Sequence, residues 1–240
     1  MKISKRTMIM VMSLVLTMTV AAFGTVAYMT DSDQVTNTFT VGSVKIEVYE
    51  NGEETPDAIK PLGVLTPVVS DEPSDDVSYK DKVVDVKNTG KNDAYIRVHI
   101  AMPTDLVDYL QLDVKREGWS APVLTEATVE RVDYTVITYD YLTPVAPNAI
   151  TAELLQGVYL KSNVDLEETA DGDLEFILRA ANGTKLENSG FIAHELNDDG
   201  SYTSVTVNVM VFAQAIQTEG FGGATEALNA GFGVNTNPWK

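Results

Sequence analysis

The feature that most constrains the fold is a long alternation of side chains near the C-terminal end of the sequence. In the stretch "TSVTVNVMVFAQAIQ", every second residue from Val205 onward is apolar, and in a strand these residues share one face: Val205, Val207, Val209, Val211 and Ala213. This period of two is typical of a β-strand, in which successive side chains point to opposite sides. The other face also carries large apolar side chains, namely Met210, Phe212 and Ile216. We therefore expect a strand that is covered on both sides.

Shorter alternations recur along most of the chain. In "KVVDVKNTG", Val84 and Val86 share one face. In "DAYIRVHIAMP", one set of side chains is predicted to point inward (Ile96, Val98 and Ile100) and the other outward (Tyr95, Arg97 and His99). The stretches "RVDYTVITYDYL" and "LEFILRAANG" predict further strands.

Helical signals are few by comparison. They are confined to "MPTDLVDYLQL", "NAITAELLQG" and "GGATEALNAGF". Two acidic stretches, "ENGEETPDAIKPLGVLTPVVSDEPSDD" and "NVDLEETADGD", are predicted to be loop insertions. The whole pattern predicts an all-β protein, specifically a two-sheet antiparallel sandwich of jelly-roll type with a few short helices.

The N-terminal 28 residues have the plan of a secretory signal peptide. A basic start is followed by an uncharged apolar run and then by small residues. The run is short for a membrane span, and Asp31 and Asp33 follow it where a retained anchor would have a basic flank. We expect a cleaved signal over residues 1–28, a single domain over residues 29–240, and membrane contact only before cleavage. The expected location is outside the cell.

Charge and cysteine usage narrow the classes of partner. Removing Lys2, Lys5 and Arg6 with the signal would take the formal charge from -18 to -21. No cluster of lysine or arginine is present to overcome that field, so a nucleic-acid partner is not expected. Divalent cations such as calcium are candidates for bridging acidic copies. The absence of cysteine from an exported chain fits a Gram-positive bacterium, where secreted proteins do not rely on disulfides.

Several motifs resemble those of the TasA/camelysin family of Gram-positive exported proteins. The stretch "GTVAYMTDSDQVTNTFTVGSVKIEV" is similar to the family's junction between signal peptide and first strand, with Met29 where phenylalanine is usual. The matching positions are Gly24, Thr25, Ala27, Tyr28, Asp31, Asp33, Thr38, Phe39, Gly42 and Val44. "VKNTGKNDAYIRVHIAMP", "YLQLDVKREGW" and "VFAQAIQTEGF" resemble later family segments in the correct order, whereas residues 146–202 match poorly.

The resemblance implies a jelly-roll subunit of biofilm-matrix fibres. Its signal would be cut by a dedicated signal peptidase of the endoplasmic-reticulum type, near Ala27, Tyr28 and Met29. In the family's fibres the mature N-terminal segment of one subunit completes a sheet in its neighbour. The implied partners are other copies of the same chain or related matrix subunits. One relative, camelysin, has been described as a metalloprotease.

The N-terminal segment itself reads as an extended strand. Residues 29–41 are the candidate donor strand, and one of its sides carries Val35, Asn37, Phe39 and Val41. Threonines alternate with these residues and favour extended backbone. Such a strand can pair with its own domain or add to an open edge of another copy. The residues alone leave both outcomes open.

Enzymatic function has little support in the sequence. The chain has two histidines, and "HELND" contains only half of the zinc-protease motif His-Glu-x-x-His, because Asp198 stands where the second histidine would be. Catalytic zinc needs three protein ligands, so the alternative zinc set would have to unite His99, His194 and Glu195. We predict no catalytic residues and no resident cofactor, with weak calcium binding at "DGD" as an alternative. "NDDGS" predicts a hairpin turn with Gly200 at positive φ.

Three hypotheses therefore follow from the sequence. The first is a secreted structural protein that forms fibres through N-terminal strand donation. The second is a secreted metalloendopeptidase similar to camelysin. The third is a monomeric surface adhesin whose acidic insertions bind a partner.

Overall fold

A computed structural model describes residues 30–33, 44–50, 52–54, 67, 73–76, 78–187, 189–205, 208–234 and 238. This part of the chain contains fourteen β-strands, one α-helix and two short 3-10 helices. None of its helices has the length and apolar character needed to cross a bilayer. The predicted signal peptide lies outside the described residues.

The strands are β1 (Thr30–Asp33), β2 (Ile46–Glu50), β3 (Glu53–Glu54), β4 (Lys80–Asn88), β5 (Ala94–Pro103), β6 (Leu110–Val114), β7 (Val123–Val129), β8 (Val132–Asp140), β9 (Leu155–Leu160), β10 (Val164–Glu168), β11 (Leu174–Leu178), β12 (Phe191–Leu196), β13 (Tyr202–Ser204) and β14 (Met210–Gln217). The helix α1 spans Ala224–Phe232, and the 3-10 helices span Pro73–Asp75 and Thr104–Leu106.

The strands form three antiparallel sheets. Sheet 1 has the order β1-β14-β5-β8-β7, sheet 2 the order β3-β2-β4-β9-β6, and sheet 3 the order β10-β11-β12-β13. The prediction of an antiparallel all-β protein is confirmed, but the number of sheets is three instead of two. The extra sheet arises because the acidic stretch at residues 163–173, predicted to be a loop, supplies β10 and its turn into β11. Acidic side chains on an exposed strand face do not prevent ladder formation.

The main core is formed by apolar faces of sheets 1 and 2, with a contribution from sheet 3. Val84 and Val86 of β4 are fully buried, as are Ile96, Val98 and Ile100 of β5, and all five belong to one cluster. Their predicted inward orientation is confirmed. Burying one such branched side chain stabilises the fold by roughly 1.5–3 kcal/mol. This shared core fixes the position of β5 and of the strands beside it.

The opposite face of sheet 1 is covered by α1. Ala224, Ala227 and Leu228 of the helix pack against Tyr95 of β5 and Ile216 of β14. Both faces of β5 are therefore buried. The prediction that Tyr95, Arg97 and His99 point outward to solvent is wrong, because all three side chains are buried. A period of two shows which residues share a face, but it does not show whether an element distant in sequence covers that face.

The helix begins and ends where local chemistry allows it. Glu226 lies in the first turn, where a carboxylate interacts favourably with the helix dipole, and it accepts a hydrogen bond from the Gly222 N–H at 3.0 Å. Gly233 follows the last turn with φ of 84°, a conformation that glycine adopts at little cost. The predicted helix in "GGATEALNAGF" is confirmed.

The other helical predictions are wrong or only partly right. "MPTDLVDYLQL" forms the 3-10 helix Thr104–Leu106 and then enters β6, while "NAITAELLQG" runs into β9 without a helix. The long alternation near the C-terminus splits into β13 and β14, which belong to different sheets. Residues of β14 are buried on both faces, as predicted.

Candidate functional site: the β1–β14 edge

The first described strand closes one end of sheet 1. β1 pairs antiparallel with β14, with Thr30 opposite Ile216 and Asp33 opposite Ala213. Among the described strands, β14 is the only neighbour of β1. Within a single chain, the start of the candidate donor strand is therefore paired with its own domain.

Most residues predicted for this site lie outside the described part of the chain. This is true of the proposed cleavage region and of the proposed donor side chains: Ala27, Tyr28, Met29, Val35, Asn37, Phe39 and Val41. The structure does describe β14, the strand with which these residues would pair.

β14 is a rigid template for an edge strand. Ala213 and Ala215 are fully buried in the main core, and Ile216 is fully buried against α1. On its inner edge, all eight residues of β14 pair with β5. Because both faces and the inner edge are held in this way, the outer edge of β14 keeps a fixed geometry for whichever strand pairs with it.

A buried ion pair beneath α1 supports this region. The Arg97 Nε and Nη2 atoms donate to the two carboxylate oxygens of Asp140 at 2.7 and 3.1 Å. Nη2 also donates to Asn229 Oδ1 at 2.8 Å, and Nη1 donates to the Gly233 carbonyl at 3.0 Å. Bidentate pairing fixes the guanidinium plane. This one side chain therefore connects β5 with β8 and with the end of α1.

His99 extends the polar network to β14. Its Nδ1 lies 2.8 Å from Thr138 Oγ1 on β8, and its Nε2 lies 3.1 Å from Gln214 Oε1 on β14. Burial lowers the pKa of His99 to about 4, with a smaller contribution from the nearby Arg97 charge. The ring is therefore neutral at pH 7. Since a carbonyl oxygen only accepts, Nε2 carries the proton and Nδ1 accepts from the Thr138 hydroxyl.

A cavity of about 240 Å³ lies between α1 and sheet 1. Its lining includes Arg97, His99, Ser120, Thr138, Asp140 and Asn229. The two charged groups of this lining are hydrogen-bonded to each other, so they neutralise one another within the cavity. The arrangement is that of a packing and positioning network for three adjacent strands.

The alternative zinc set is not assembled. His194 and Glu195 lie on β12 in sheet 3, and His194 Nδ1 is 2.9 Å from Ser204 Oγ on β13. His99 lies on sheet 1 with both ring nitrogens bonded to neighbouring side chains. Across the described residues, no group of three or more His, Asp or Glu side chains is placed to hold a metal ion.

The two acidic turns named from the sequence have structural roles. In "DGD", the Asp173 carboxylate accepts a hydrogen bond from the Leu196 N–H at 2.8 Å. In "NDDGS", Gly200 has φ of 81° and its N–H donates to the Asn197 carbonyl at 2.9 Å, which closes the β12–β13 hairpin. The predicted hairpin turn is confirmed.

Sequence reasoning missed two features of this region. It did not recognise β7, although apolar residues at Val123, Ala127 and Val129 alternate there. It also did not connect Arg97 with Asp140, because these residues are 43 positions apart and only the β5–β8 register places them side by side.

Fold and site together define an antiparallel β protein whose first described strand forms the edge of a helix-covered sheet. No protein-family model matches the chain, and neither does any curated protein. The TasA/camelysin resemblance accordingly stays a prediction from the sequence motifs.

Proposed function

We propose that this chain is an exported structural protein of the extracellular matrix or cell surface of a Gram-positive bacterium, and that it assembles into fibres by exchanging its N-terminal strand between copies. The observation that carries the proposal is the position of β1 as the terminal strand of sheet 1, paired with β14. The signal-like N-terminus and the TasA/camelysin-like motifs support it. On this proposal the fold is of jelly-roll type.

Exchange of β1 requires little else to change. Because β1 is the last strand of its sheet, it can leave β14 without breaking the ladder between any other described strands. The same four residues of a neighbouring copy can then form the same ladder with Ala213–Ile216. Each copy accepts one strand and donates one. A head-to-tail contact of this kind does not close on itself, so its repetition produces a filament.

The register of β1 indicates which further residues a donated strand would use. If a neighbour's strand keeps this register, Val35 lies opposite Val211 and Asn37 lies opposite Val209. Val209 is buried and Val211 packs against the main core. Each added ladder hydrogen bond stabilises the contact by about 0.5–1.5 kcal/mol net. Burying the Val35 side chain adds roughly 1.5–3 kcal/mol.

Self-pairing competes with assembly for the same edge. A strand tethered to its own domain has an effective concentration on the order of millimolar, whereas a neighbour's strand has only the concentration of the protein. Filament formation is therefore expected to need a high local concentration of processed chains. A slow initial phase should precede growth, because β1 must first leave its own β14.

Electron microscopy of the processed protein tests the proposal. Residues 29–240 should form filaments at high concentration, and the same chain lacking residues 29–37 should remain a folded monomer or small oligomer. A synthetic peptide with the sequence of residues 29–41 should inhibit growth, whereas a peptide of the same composition in scrambled order should not. Filaments that persist without residues 29–37, or a full-length processed chain that never forms any, would rule out strand exchange.

A further inference from the structure

Each of the three sheets has two edge strands, and these six strands differ in how well they are protected against pairing with another chain. β3, β13 and β1 are only two, three and four residues long. β10 has five residues, of which three are acidic, and β6 has five with Asp113 among them. β7 is the longest at seven residues, and its single charge is Glu126. Short length and charge are the usual protection of sheet edges against pairing. β7 is therefore the least protected edge in the described chain.

The hairpin that joins β7 to β8 shows which backbone groups of β7 point outward. Glu130 and Arg131 have φ of 51° and 73°, as a two-residue type I′ turn requires, and Val129 pairs with Val132 across it. The closing pair of such a hairpin exchanges both hydrogen bonds, so alternate residues from Val129 back to Val123 bond to β8. The N–H and C=O groups of Leu124, Glu126 and Thr128 then face away from β8.

We propose that β7 is a docking edge for β7 of a second copy of this chain, in an antiparallel pair with Thr125 opposite Thr125 at the two-fold axis. In this register Leu124 of each copy lies opposite Glu126 of the other, and Val123 lies opposite Ala127. The outward groups of Leu124 and Glu126 form the hydrogen-bonded pairs. Leu124 is 65 % exposed and Val123 is 41 % exposed in the single chain, and both are partly covered by the contact.

The neighbouring registers are less favourable for physical reasons. A shift that sets Glu126 opposite Glu126 places like charges directly across the strand pair, which is destabilising. A shift that sets Leu124 opposite Leu124 places Glu126 opposite Pro122, which has no N–H to donate. The register centred on Thr125 avoids both. The strand is thus complementary to itself in one arrangement, which is what a two-fold contact requires.

The inference does not depend on the proposed strand exchange. β7 and β1 are the two opposite ends of sheet 1, so the two contacts use different edges. A copy lacking residues 29–37 should still form the β7 dimer. If both contacts form, the β7 pairing joins two filaments side by side.

Cysteine cross-linking tests the register. The chain contains no cysteine, so Thr125→Cys introduces a single thiol. Residues opposite each other in a non-hydrogen-bonded pair have Cα atoms about 4.5 Å apart, which is within disulfide range. Mild oxidation of Thr125→Cys in residues 29–240 should give a covalent dimer on a non-reducing gel. Leu124→Cys is the control. Leu124 is more exposed, but each copy's Leu124 lies opposite Glu126 of the other copy, so the two introduced cysteines have Cα atoms further apart than the disulfide limit of about 7 Å.

Sedimentation measurements provide the second arm. Leu124→Glu should raise the dimer dissociation constant by at least about tenfold, because in this register it sets a second carboxylate directly opposite Glu126 of the other copy. Leu142→Glu is the matched control, since Leu142 is 50 % exposed but lies outside β7, and it should leave dimerisation unchanged. The proposal is overturned if the protein stays monomeric at high concentration, if Leu124→Cys cross-links as readily as Thr125→Cys, or if both glutamate variants behave alike.

Discussion

Two arginine–aspartate pairs in this protein have almost the same shortest N–O distance in different surroundings. Arg97 Nε lies 2.7 Å from Asp140, and Arg179 Nε lies 2.6 Å from Asp165. The side chains of the first pair are 5 % and 7 % exposed, whereas those of the second are 34 % and 51 % exposed. The N–O distance alone would give the two ion pairs the same expected strength. Burial decides what each pair does for the molecule.

The buried pair cannot exchange its partner for water. If one member is removed, the other is left as an uncompensated charge in a medium of low dielectric constant, which is costly. The exposed pair lies on sheet 3 near Glu167 and Lys185, and water can replace either partner. Hydrogen bonds from Arg179 and from the Leu166 N–H lower the pKa of Asp165, but solvent screens most of the associated free energy. The buried pair therefore fixes how neighbouring strands are positioned, whereas the exposed pair contributes little to the stability of the fold.

Removing the buried carboxylate should have the largest effect. Asp140→Ala leaves the Arg97 guanidinium without its bidentate partner and is expected to lower the free energy of unfolding by about 3–5 kcal/mol. Urea denaturation monitored by circular dichroism measures this change. A loss below about 1 kcal/mol would mean that the pair behaves like a surface pair.

Replacing both members by apolar residues sharpens the comparison. Arg97→Met combined with Asp140→Leu should destabilise the protein less than Asp140→Ala alone, because no unpaired charge remains in the core. The same denaturation experiment gives the result. If the double variant is the less stable of the two, the hydrogen bonds of Arg97 to Asn229 and Gly233 contribute more than the charge balance does.

The two histidines extend the comparison of buried and exposed groups to the pH dependence of stability. The folded-state pKa of His99 is about 4 against an ordinary value of 6.5, so the unfolded chain binds the proton first as pH falls. The stability that neutral His99 provides is complete above pH 6.5 and is lost progressively between pH 6.5 and pH 4. The slope of this loss is at most about 1.4 kcal/mol per pH unit.

Variants of the two histidines separate this contribution from the rest of the protein. His99→Gln should flatten the pH dependence of the denaturation midpoint between pH 4 and pH 6.5, whatever its effect on stability at pH 7. His194→Gln, on the partly exposed strand β12, is the matched control for replacing a histidine by glutamine. Equal slopes for the two variants would show that His99 is not the titrating group.

The exposed pair should give the smallest effect. Asp165→Asn is expected to change the free energy of unfolding by about 0.2–1 kcal/mol. The difference should shrink at 1 M salt, where the Debye length is about 3 Å. A salt-insensitive loss comparable to that of Asp140→Ala would contradict the role given to burial.

The sequence predicted the local elements better than their partners. The alternation in β4 and β5 identified which residues enter the main core, because that information lies within a few adjacent positions. It did not predict that α1 covers the second face of β5, since the helix is more than a hundred positions away in the chain. Burial of Arg97 and His99 follows from that distant contact. The same limit explains why the third sheet was not anticipated.

The candidate site shows the same division. The Thr-rich pattern predicted an extended N-terminal segment; the first residues of that segment form β1, whereas the threonine alternation itself lies outside the described residues. The identity of its neighbour, β14, depends on contacts between the two ends of the chain and could not be read from either end alone. The weak protection of β7 is a property relative to the other five edge strands, and no single stretch of the sequence shows which strands are edges.

The bonds of Arg97 also have a consequence for how the molecule is made. Its acceptors on and just after α1 are 132 and 136 positions further along the chain. During synthesis, Arg97 leaves the ribosome long before Asn229 and Gly233 have been translated. The hydrogen-bond network around the Arg97 guanidinium therefore becomes complete only after Asn229 and Gly233 have been synthesised.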